Sequence, residues 1–255
     1  TGGMSKPNIN DNFFDGHYKK IWKDLIPAEL TQKELDFMLP YFELKEGAAV
    51  LDLMCGHGRH TLGLARKGIK VTAVDNLPDY LEEIRQIVAS EDLPVQLIQQ
   101  SVVDLVPDTL YDLAICMGNS LQFFDAEDIS HILKAVSGSL KQGGHILINS
   151  WSIAEISFRT FKDKLTSQMG EFQFSAESTW HPSPSRIEIR SSITGPDGST
   201  EHRTSIDHIY SLNEMEMLLA SAGLTMKEVF SIPGRKKFTL GEPRAYIIAQ
   251  KTPQH

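Results

Sequence analysis

The spacing of hydrophobic and polar residues predicts a strand, a helix and a second strand near the start of the chain. Residues 50–54 form a short apolar run that is typical of a buried strand. A turn with two glycines follows, then a helical pattern that ends at Gly68 and a second apolar strand over residues 69–74. Together these elements predict a βαβ unit between Ala48 and Asp75.

The alternation of strands and helices continues to about residue 150. Helices are predicted over residues 31–44, 78–89 and 126–140, and strands over residues 95–99, 111–117 and 145–149. Thr31 is expected to cap the first of these helices, with Glu34 at the capping-box position. The nearly continuous apolar character of residues 111–117 is typical of a central parallel strand.

The pattern changes from about residue 152. Residues 171–211 alternate apolar and polar side chains, as antiparallel strands do. Segments 185–194 and 201–210 flank a turn at residues 195–198, and this arrangement predicts a hairpin.

These elements predict one α/β core that is interrupted by an antiparallel layer. A helix over residues 213–222 and strands over residues 224–232 and 244–251 close the chain. The predicted units are an N-terminal helical cap segment at 13–44, a core at 45–151 and 212–252, and an inserted β layer at 152–211. We expect the inserted layer to form a lid over the functional site or a dimer contact.

The composition narrows the class of protein. With 255 residues, 41% of them hydrophobic, the chain can form one large domain or one domain plus an insertion. The net charge of −8 argues against a nucleic-acid surface, because phosphate contacts need clustered Lys and Arg. No apolar run approaches the ~20 residues of a membrane span, and no signal peptide is visible. We therefore expect a cytoplasmic protein, a monomer or homodimer, that binds neither nucleic acid nor membrane.

The two cysteines and the first three residues can also be interpreted from the sequence. Cys55 and Cys116 both lie in or beside predicted buried strands, so we expect free thiols and no disulfide. Residues 1–3, which precede Met4, are interpreted as a cloning remnant.

The residues of the βαβ unit indicate a ligand that contains ribose and an anionic group. Gly56 and Gly58 let the backbone turn sharply and let a ligand approach without a Cβ in the way. The start of the following helix suits a carboxylate or a phosphate. Asp75, at the end of the second strand, can accept hydrogen bonds from both ribose hydroxyls.

Two cofactors fit these requirements to different degrees. A dinucleotide site would show a third glycine, where this chain has Thr61. Asp52 lies inside the first strand, where a carboxylate would repel a pyrophosphate but would bind an ammonium group. S-Adenosylmethionine carries an ammonium and a carboxylate and no phosphate, so the residues favour it over NAD(P).

The segment resembles the first two strands of class I S-adenosylmethionine-dependent methyltransferases; it reads LDLMCGHGRHTLGLARKGIKVTAVD. It is especially similar to a bacterial branch whose glycine loop reads CGHGRH or CGPGRH. The closing strands resemble the reversed C-terminal hairpin of the same family, so the resemblance extends from residue 13 to the end of the chain. It implies an α/β, doubly wound, mostly parallel seven-stranded sheet of Rossmann-like methyltransferase type, with an antiparallel β insertion.

The resemblance also implies site residues. Those expected to bind the cofactor are Asp52, Gly56, Gly58, Asp75, Asn76, Val103, Asp104, Met117 and Tyr18. Those expected to bind the substrate are Asn119, Trp151, His17 and Tyr210. For several of them a structural role stays open: packing of the N-terminal segment for Tyr18, an exposed loop for Asp104, a turn for Asn119 and rim packing for Trp151.

No metal is expected, because His57 and His60 lack further ligands at a suitable spacing. Arg59 is expected either to reach the methionyl carboxylate or only to stabilise the surface. If the reaction needs a general base, the candidates are His17, Tyr18, His181, His208 and Tyr210, and the sequence favours none of them.

The sequence thus predicts an S-adenosylmethionine-dependent methyltransferase that acts on a nitrogen, oxygen or carbon nucleophile of a small molecule. Two alternatives stay open. One is an NAD(P)-dependent oxidoreductase, and the other is a non-catalytic S-adenosylmethionine-binding module.

Overall fold

A mostly parallel β-sheet forms the centre of the molecule. The computed structural model describes residues 7–11, 13, 15–106 and 108–253, and the predicted cloning remnant lies outside them. The helices are α1 (Gly16–Leu25), α2 (Ala28–Tyr41), α3 (Arg59–Ala65), α4 (Pro78–Glu91), α5 (Ala126–Ser139), α6 (Ala154–Thr160) and α7 (Leu212–Ser221). Within the described part of the chain, no helix is both long enough and apolar enough to cross a membrane.

The strands divide into two sheets. Those of the central sheet are β1 (Ala49–Leu53), β2 (Lys70–Asp75), β3 (Val95–Gln99), β4 (Tyr111–Cys116), β5 (Leu140–Ser150), β10 (Leu224–Ile232), β11 (Lys236–Lys237) and β12 (Ala245–Lys251). Those of the second sheet are β6 (Lys164–Met169), β7 (Phe172–Pro182), β8 (Ser185–Thr194) and β9 (Thr200–His208). Short 3-10 turns lie at Val102–Asp104 and Ser120–Phe123.

The order of the central sheet is β11-β10-β12-β5-β4-β1-β2-β3. Strands β1 to β5 pair in parallel, β12 runs antiparallel to β5, and β10 runs antiparallel to β12. The α/β doubly wound architecture and the reversed closing pair are therefore confirmed. The predicted number of seven strands was wrong, because β11 adds an eighth strand at the edge of the sheet, after a bulge in β10. This strand is two exposed lysines without apolar alternation, so the sequence carries no pattern for it.

The central sheet is buried on both faces, as parallel sheets generally are. One face packs against α5 and α7 through apolar residues that include Leu51, Ile129 and Met215. The other face packs against α2, α3 and α4 through residues that include Val50 and Ile84. Because successive side chains of β1 point to opposite faces, both clusters hold the carboxyl end of this strand in place.

The second sheet is an antiparallel meander in the order β6-β7-β8-β9. The predicted hairpin is confirmed, with Thr194 paired to Thr200 across the turn. Strand β9 ends at His208, earlier than expected, because Tyr210 packs into the central core. Helix α1 lies on this sheet, and Tyr18 and Ile21 pack against Ile193.

The start of α2 differs from the prediction. The helix begins at Ala28 after Pro27, so Thr31 lies inside it and does not cap it. Glu34, expected to close a capping box, is 2% exposed and bonds to side chains of α3 and β12. Because these tertiary hydrogen bonds hold the Glu34 carboxylate, it does not cap the start of the helix as the local pattern predicted.

Candidate functional site

A cavity opens at the carboxyl ends of β1, β2 and β4, with a volume of about 1020 Å³ counting its open mouth. Because β1 pairs with both β2 and β4, this is the switch point of the sheet, where ligands of doubly wound folds bind. The volume is at the upper end of the range for small-molecule sites, roughly 300–1,000 Å³. From the strands of the central sheet and the loops that follow them, the lining includes Asp52, Met54, Cys55, Gly56, His57, Asp75, Asn76, Gln100, Ser101, Val102, Met117 and Gly118.

The two glycines of the loop after β1 have different roles. Both have left-handed backbones, with φ of 56° at Gly56 and 78° at Gly58. A Cβ at Gly56 would meet no atom within 4 Å, so this position leaves room in the cavity for a ligand. A Cβ at Gly58 would come within 2.8 Å of the Ile84 side chain, so this glycine lets α4 pack closely.

Asp75 holds the shape of the loop from the end of β2. Its Oδ2 accepts a hydrogen bond from the Gly56 amide at 2.9 Å, and its Oδ1 accepts one from the Leu77 amide at 2.9 Å. Burial raises the pKa of Asp75, and these backbone hydrogen bonds act in the opposite direction. Each carboxylate oxygen can accept a further hydrogen bond, and the side chain lines the cavity, so it fits a pair of adjacent hydroxyls.

Asp52 places a second buried carboxylate against the same cavity. It is 2% exposed, and its Oδ2 accepts a hydrogen bond from the Thr61 hydroxyl at 2.7 Å. Burial raises the pKa of Asp52. The charge of His60, the hydrogen bond from Thr61 and the charge of Arg59 lower this pKa and partly offset the rise. A cationic group bound beside it would stabilise its ionised form. Thr61 replaces the third glycine of a dinucleotide motif, and here its hydroxyl serves to orient Asp52.

The N-terminal segment supplies the other wall, and the part of it before residue 13 was not indicated by the sequence pattern. Its lining residues are Asn8, Asn10, Asp11, Trp22 and Ile26. Asn10 is 6% exposed, and its side chain bonds to the Phe123 carbonyl and to both backbone groups of Ile206. The Asn76 side chain donates to the Asp11 carbonyl at 3.0 Å. This segment therefore joins the cavity, the turn after β4 and strand β9.

Two expected ligand residues lie instead in the contact between α1 and the second sheet. The Tyr18 hydroxyl forms a hydrogen bond with the Ser191 hydroxyl, and the ring is 7% exposed. The His17 ring lies 3.0 Å from the Ser199 hydroxyl. Neither is among the described residues that line the cavity. This placement favours the packing role for Tyr18, and the substrate role of His17 stays a prediction.

Asn119 and Tyr210 have structural hydrogen bonds. The Asn119 side chain is 4% exposed, and its Oδ1 accepts from the Trp151 amide and the hydroxyls of Ser150 and Ser152 at 3.0 Å. With a φ of 63°, Asn119 serves the turn after β4. The buried Tyr210 hydroxyl donates to the Phe124 carbonyl at 2.7 Å. Both residues thus have structural hydrogen bonds and are not among the described residues that line the cavity, and their substrate roles stay predictions.

The remaining expected residues lie one step from the cavity. Trp151 contacts Trp22, a lining residue, with ring centres 5.7 Å apart. Val103 packs against the core, and the lining at this point comes from residues 100–102. Asp104 follows this stretch, and its carbonyl accepts a hydrogen bond from the Gln100 side chain. The predicted residues, Val103 and Asp104, thus lie one or two positions after the residues that line the cavity in this short loop.

The other candidate bases, His181 and His208, are not among the described residues that line the cavity. His181 is on exposed β7, 3.8 Å from Glu188, and His208 is half-buried on β9, where burial lowers its pKa. In the described ranges no group of three or more His, Cys, Asp or Glu side chains is placed to hold a metal ion. Both cysteines are buried free thiols.

Glu34 is a residue of this site that the sequence reasoning missed. Its Oε1 accepts from Arg59 at 2.7 Å and from His60 at 3.0 Å, and both of these residues line the cavity. A signal was present in the sequence. Glu34 lies four positions before Met38, so an acid occupies the apolar face of an amphipathic helix.

Comparison with known proteins agrees with this geometry. Residues 50–144 match the model of a family described as a methyltransferase domain. An enzyme of Rickettsia felis named ubiquinone biosynthesis O-methyltransferase is 31% identical over 113 residues, which cover 44% of this chain and 43% of that enzyme. The chain thus spans less than half the length of this curated relative.

Solved structures share the fold over nearly the whole chain. An S-adenosylmethionine-dependent methyltransferase from Clostridium acetobutylicum has a TM-score of 0.80 at 22% identity, covering 95% of this chain and 99% of that one. CalS10, an amino pentose methyltransferase from Micromonospora echinaspora with S-adenosylmethionine bound, has a TM-score of 0.69 at 17% identity, covering 93% and 98%. The chain therefore shares its fold with these methyltransferases, and Asp52, Gly56, Gly58 and Asp75 all lie inside the range that matches the methyltransferase-domain model.

Proposed function

We propose that this chain is an S-adenosylmethionine-dependent methyltransferase that acts on a small molecule. The observation that carries the proposal is the pair of buried acids, Asp52 and Asp75, that flank one glycine loop in one cavity. Asp75 would bind the ribose hydroxyls, and Asp52 would bind the ammonium group of the methionyl arm. A pyrophosphate between two carboxylates would be repelled, so the pair supports this cofactor over a dinucleotide.

Other lining residues complete the cofactor site. Gly56 leaves the space for the cofactor, and Gly58 permits the close helix packing that holds the loop. Residues 100–102 would surround the adenine, in place of the expected Val103 and Asp104. Asn76 and Met117, both lining residues, keep their expected cofactor roles as part of this proposal.

The bound cofactor would supply an electrophilic methyl group on a good leaving group. The task of the protein is then alignment of the nucleophile and exclusion of water. The apolar side chains of Trp22, Ile26 and Phe123 line the cavity and suit this task. Trp151, behind Trp22, would support the substrate wall.

The substrate is proposed only as a class. The Rickettsia felis relative is named for an oxygen nucleophile, and CalS10 is named for an amino pentose. Both names denote small molecules, which supports a small-molecule nitrogen or oxygen nucleophile here. The finer likeness to the bacterial branch, the lid or dimer role of residues 152–211, a cytoplasmic location and the absence of nucleic-acid partners stay predictions.

The first experiment is calorimetric titration of the protein with S-adenosylmethionine, S-adenosylhomocysteine and NADH. We expect saturable binding of the first two and none of NADH. Tighter binding of NADH would overturn the proposal in favour of an oxidoreductase.

A second experiment separates an enzyme from a binding module. Formation of S-adenosylhomocysteine would be measured with a panel of amines, phenols and sugars. We expect turnover with at least one class. Intact cofactor binding without turnover on any class would favour a non-catalytic module.

A further inference from the structure

Glu34 on α2 is a buried carboxylate with a hydrogen-bond partner at each oxygen. Its Oε1 accepts from Arg59 and His60, and its Oε2 accepts from the Tyr246 hydroxyl at 2.7 Å. Burial by itself would raise the pKa of Glu34, but the hydrogen bond and charge of His60, together with Arg59, lower it to about 2. Glu34 is thus ionised at neutral pH and can only accept, so the Nε2 atom of His60 carries a hydrogen.

Arg59 has one engaged edge and one open edge. It directly follows Gly58, its side chain is 21% exposed, and it lines the cavity. Its Nη1 donates to Glu34 at 2.7 Å and to the Thr31 hydroxyl at 3.1 Å. Within residues 7–11, 13, 15–106 and 108–253, no protein acceptor bonds to Nε or Nη2 of Arg59. Glu34 and Thr31 therefore hold the guanidinium in place through Nη1. The edge formed by Nε and Nη2 stays available to donate two parallel hydrogen bonds to one carboxylate.

The cavity that Arg59 lines also holds an acid of complementary charge. Asp52 lines the same cavity as Arg59, and the charge of Arg59 lowers the pKa of Asp52 against the larger effect of burial. A carboxylate for an ammonium beside a guanidinium for a carboxylate is the pair of groups that recognises an α-amino acid. An amino-acid arm is what distinguishes S-adenosylmethionine from a plain nucleoside.

We propose that Glu34 is a positioning residue that holds Arg59 to bind the carboxylate of the methionyl arm of the cofactor. The inference rests on the proposed function. It gives α2, which precedes the matched range at residues 50–144, a direct part in cofactor selection. Glu34 acts through Arg59 and does not itself touch the cofactor.

The test compares two ligands that differ in the amino-acid arm. S-Adenosylhomocysteine has the arm, and 5′-methylthioadenosine lacks it. For Glu34→Gln we expect about tenfold weaker binding of S-adenosylhomocysteine, because a charge-assisted hydrogen bond that fixes Arg59 is lost. Binding of 5′-methylthioadenosine should change less than about twofold.

The matched control is Glu91→Gln. Glu91 also accepts hydrogen bonds from an arginine, Arg66, at 3.0 and 2.7 Å, but this pair lies on the surface. The control should leave binding of both ligands unchanged. Arg59→Met should reproduce the ligand-specific loss, and adding Glu34→Gln to it should cost little more, because the two residues act as one unit.

Equal weakening of both ligands by Glu34→Gln would overturn the proposal, since it would reveal only a structural role. If Glu34→Gln does not fold, Thr31→Val carries the test, because it removes the other bond to Arg59 without leaving a buried charge. A loss of about twofold to fivefold confined to S-adenosylhomocysteine would support the proposal, and no ligand-specific loss would overturn it. Failure of the wild-type protein to bind S-adenosylhomocysteine at all would instead reject the proposed function.

Discussion

The parallel sheet around β1 and β2 and the antiparallel sheet β6–β9 place their side chains under different constraints. Four of the five residues of β1 are buried, and so are five of the six of β2. In β6 and β7 only Ala176 is buried, and Leu165 and Trp180 are 44% and 46% exposed. Burial on both faces fixes Asp52 and Asp75, whereas the antiparallel sheet contributes none of the described residues that line the cavity.

The two regions also handle charge differently. Glu34, Asp52 and Asp75 are each less than 10% exposed, and each bonds to named donors. In the antiparallel sheet, Arg190 and Glu177 are more than half exposed and 3.9 Å apart. Buried, hydrogen-bonded charges are costly to disturb, whereas exposed pairs contribute little. Substitutions can therefore show whether function depends on the first region alone.

The largest effect is expected for Asp75→Asn. The Gly56 and Leu77 amides each donate to one carboxylate oxygen of Asp75, and asparagine keeps only one of these two acceptors. The change also removes the negative charge that would bind the ribose hydroxyls. We expect cofactor affinity to fall by about 2–3 kcal/mol, or roughly 30-fold to 150-fold. Calorimetric titration with S-adenosylhomocysteine measures it, with circular dichroism to verify folding. Unchanged affinity would refute the ribose role.

Asp104→Asn is the comparison variant for Asp75→Asn. Asp104 lies beyond the lining stretch at residues 100–102, so a change of less than about twofold in affinity is expected. A loss as large as that of Asp75→Asn would restore the sequence-based assignment of Asp104 to the adenine.

Asn10→Ala should break the connection between the two regions. It removes the side-chain partner of the Ile206 amide and of the Ile206 carbonyl, whereas the Phe123 carbonyl keeps a hydrogen bond from the Asn8 side chain. We expect the free energy of unfolding to fall by about 2 kcal/mol, because groups of this kind are costly when buried and unpaired. Urea unfolding measures the loss, and hydrogen exchange should show faster exchange at Ile206. Asn213→Ala, at an exposed position of α7, is the control, and equal losses in the two variants would contradict the bridging role.

What the sequence predicts well is the central region, and the reason is physical. Strand, turn and helix between Ala48 and Asp75 each follow from local spacing, and so does the placement of Asp52 and Asp75 at one cavity, from which their proposed roles are argued. Glu34 and Asn10 depend instead on partners far along the chain, such as Tyr246 and Ile206. No local pattern contains such contacts.

Side-chain direction limits prediction in the same way. Tyr18 and Asn119 lie on elements close to the cavity, as expected, but the Tyr18 hydroxyl bonds to Ser191, and the Asn119 carboxamide oxygen bonds to the segment after β5. Periodicity predicts that two residues share a face. It does not predict which neighbouring element will cover that face.

A smaller effect, about 1 kcal/mol, is expected from Asp207 on β9. Burial raises the pKa of Asp207 from 3.8 to about 6, so the folded state binds more protons than the unfolded state between these values. Stability should therefore fall as pH rises from about 4 to about 6 and then level off. The side chain keeps partial access to solvent, so the effect is discounted from the full pKa difference.

Asp207→Asn should remove this fall and be more stable than the wild type at pH 7. Urea unfolding at pH 4, 5, 6 and 7 measures it. Glu34 in the central region has the opposite sign, since its lowered pKa contributes stability that is present above about pH 4.5 and is lost as pH falls toward 2. A wild-type profile without a decline between pH 4 and 6, or one that Asp207→Asn leaves unchanged, would contradict the assignment.

The smallest effect is expected for Arg190→Gln. Arg190 lies 3.3 Å from Glu188 and 3.9 Å from Glu177, and solvent screens both contacts because the side chains are exposed. The free energy of unfolding should change by less than about 0.5 kcal/mol. Arg59→Gln likewise removes an arginine from a carboxylate, but this carboxylate, Glu34, is 2% exposed. The free energy of unfolding should therefore fall by at least about 2 kcal/mol. If both variants lost stability equally, burial would not be what separates the two regions, and the antiparallel sheet would need to be treated as part of the site.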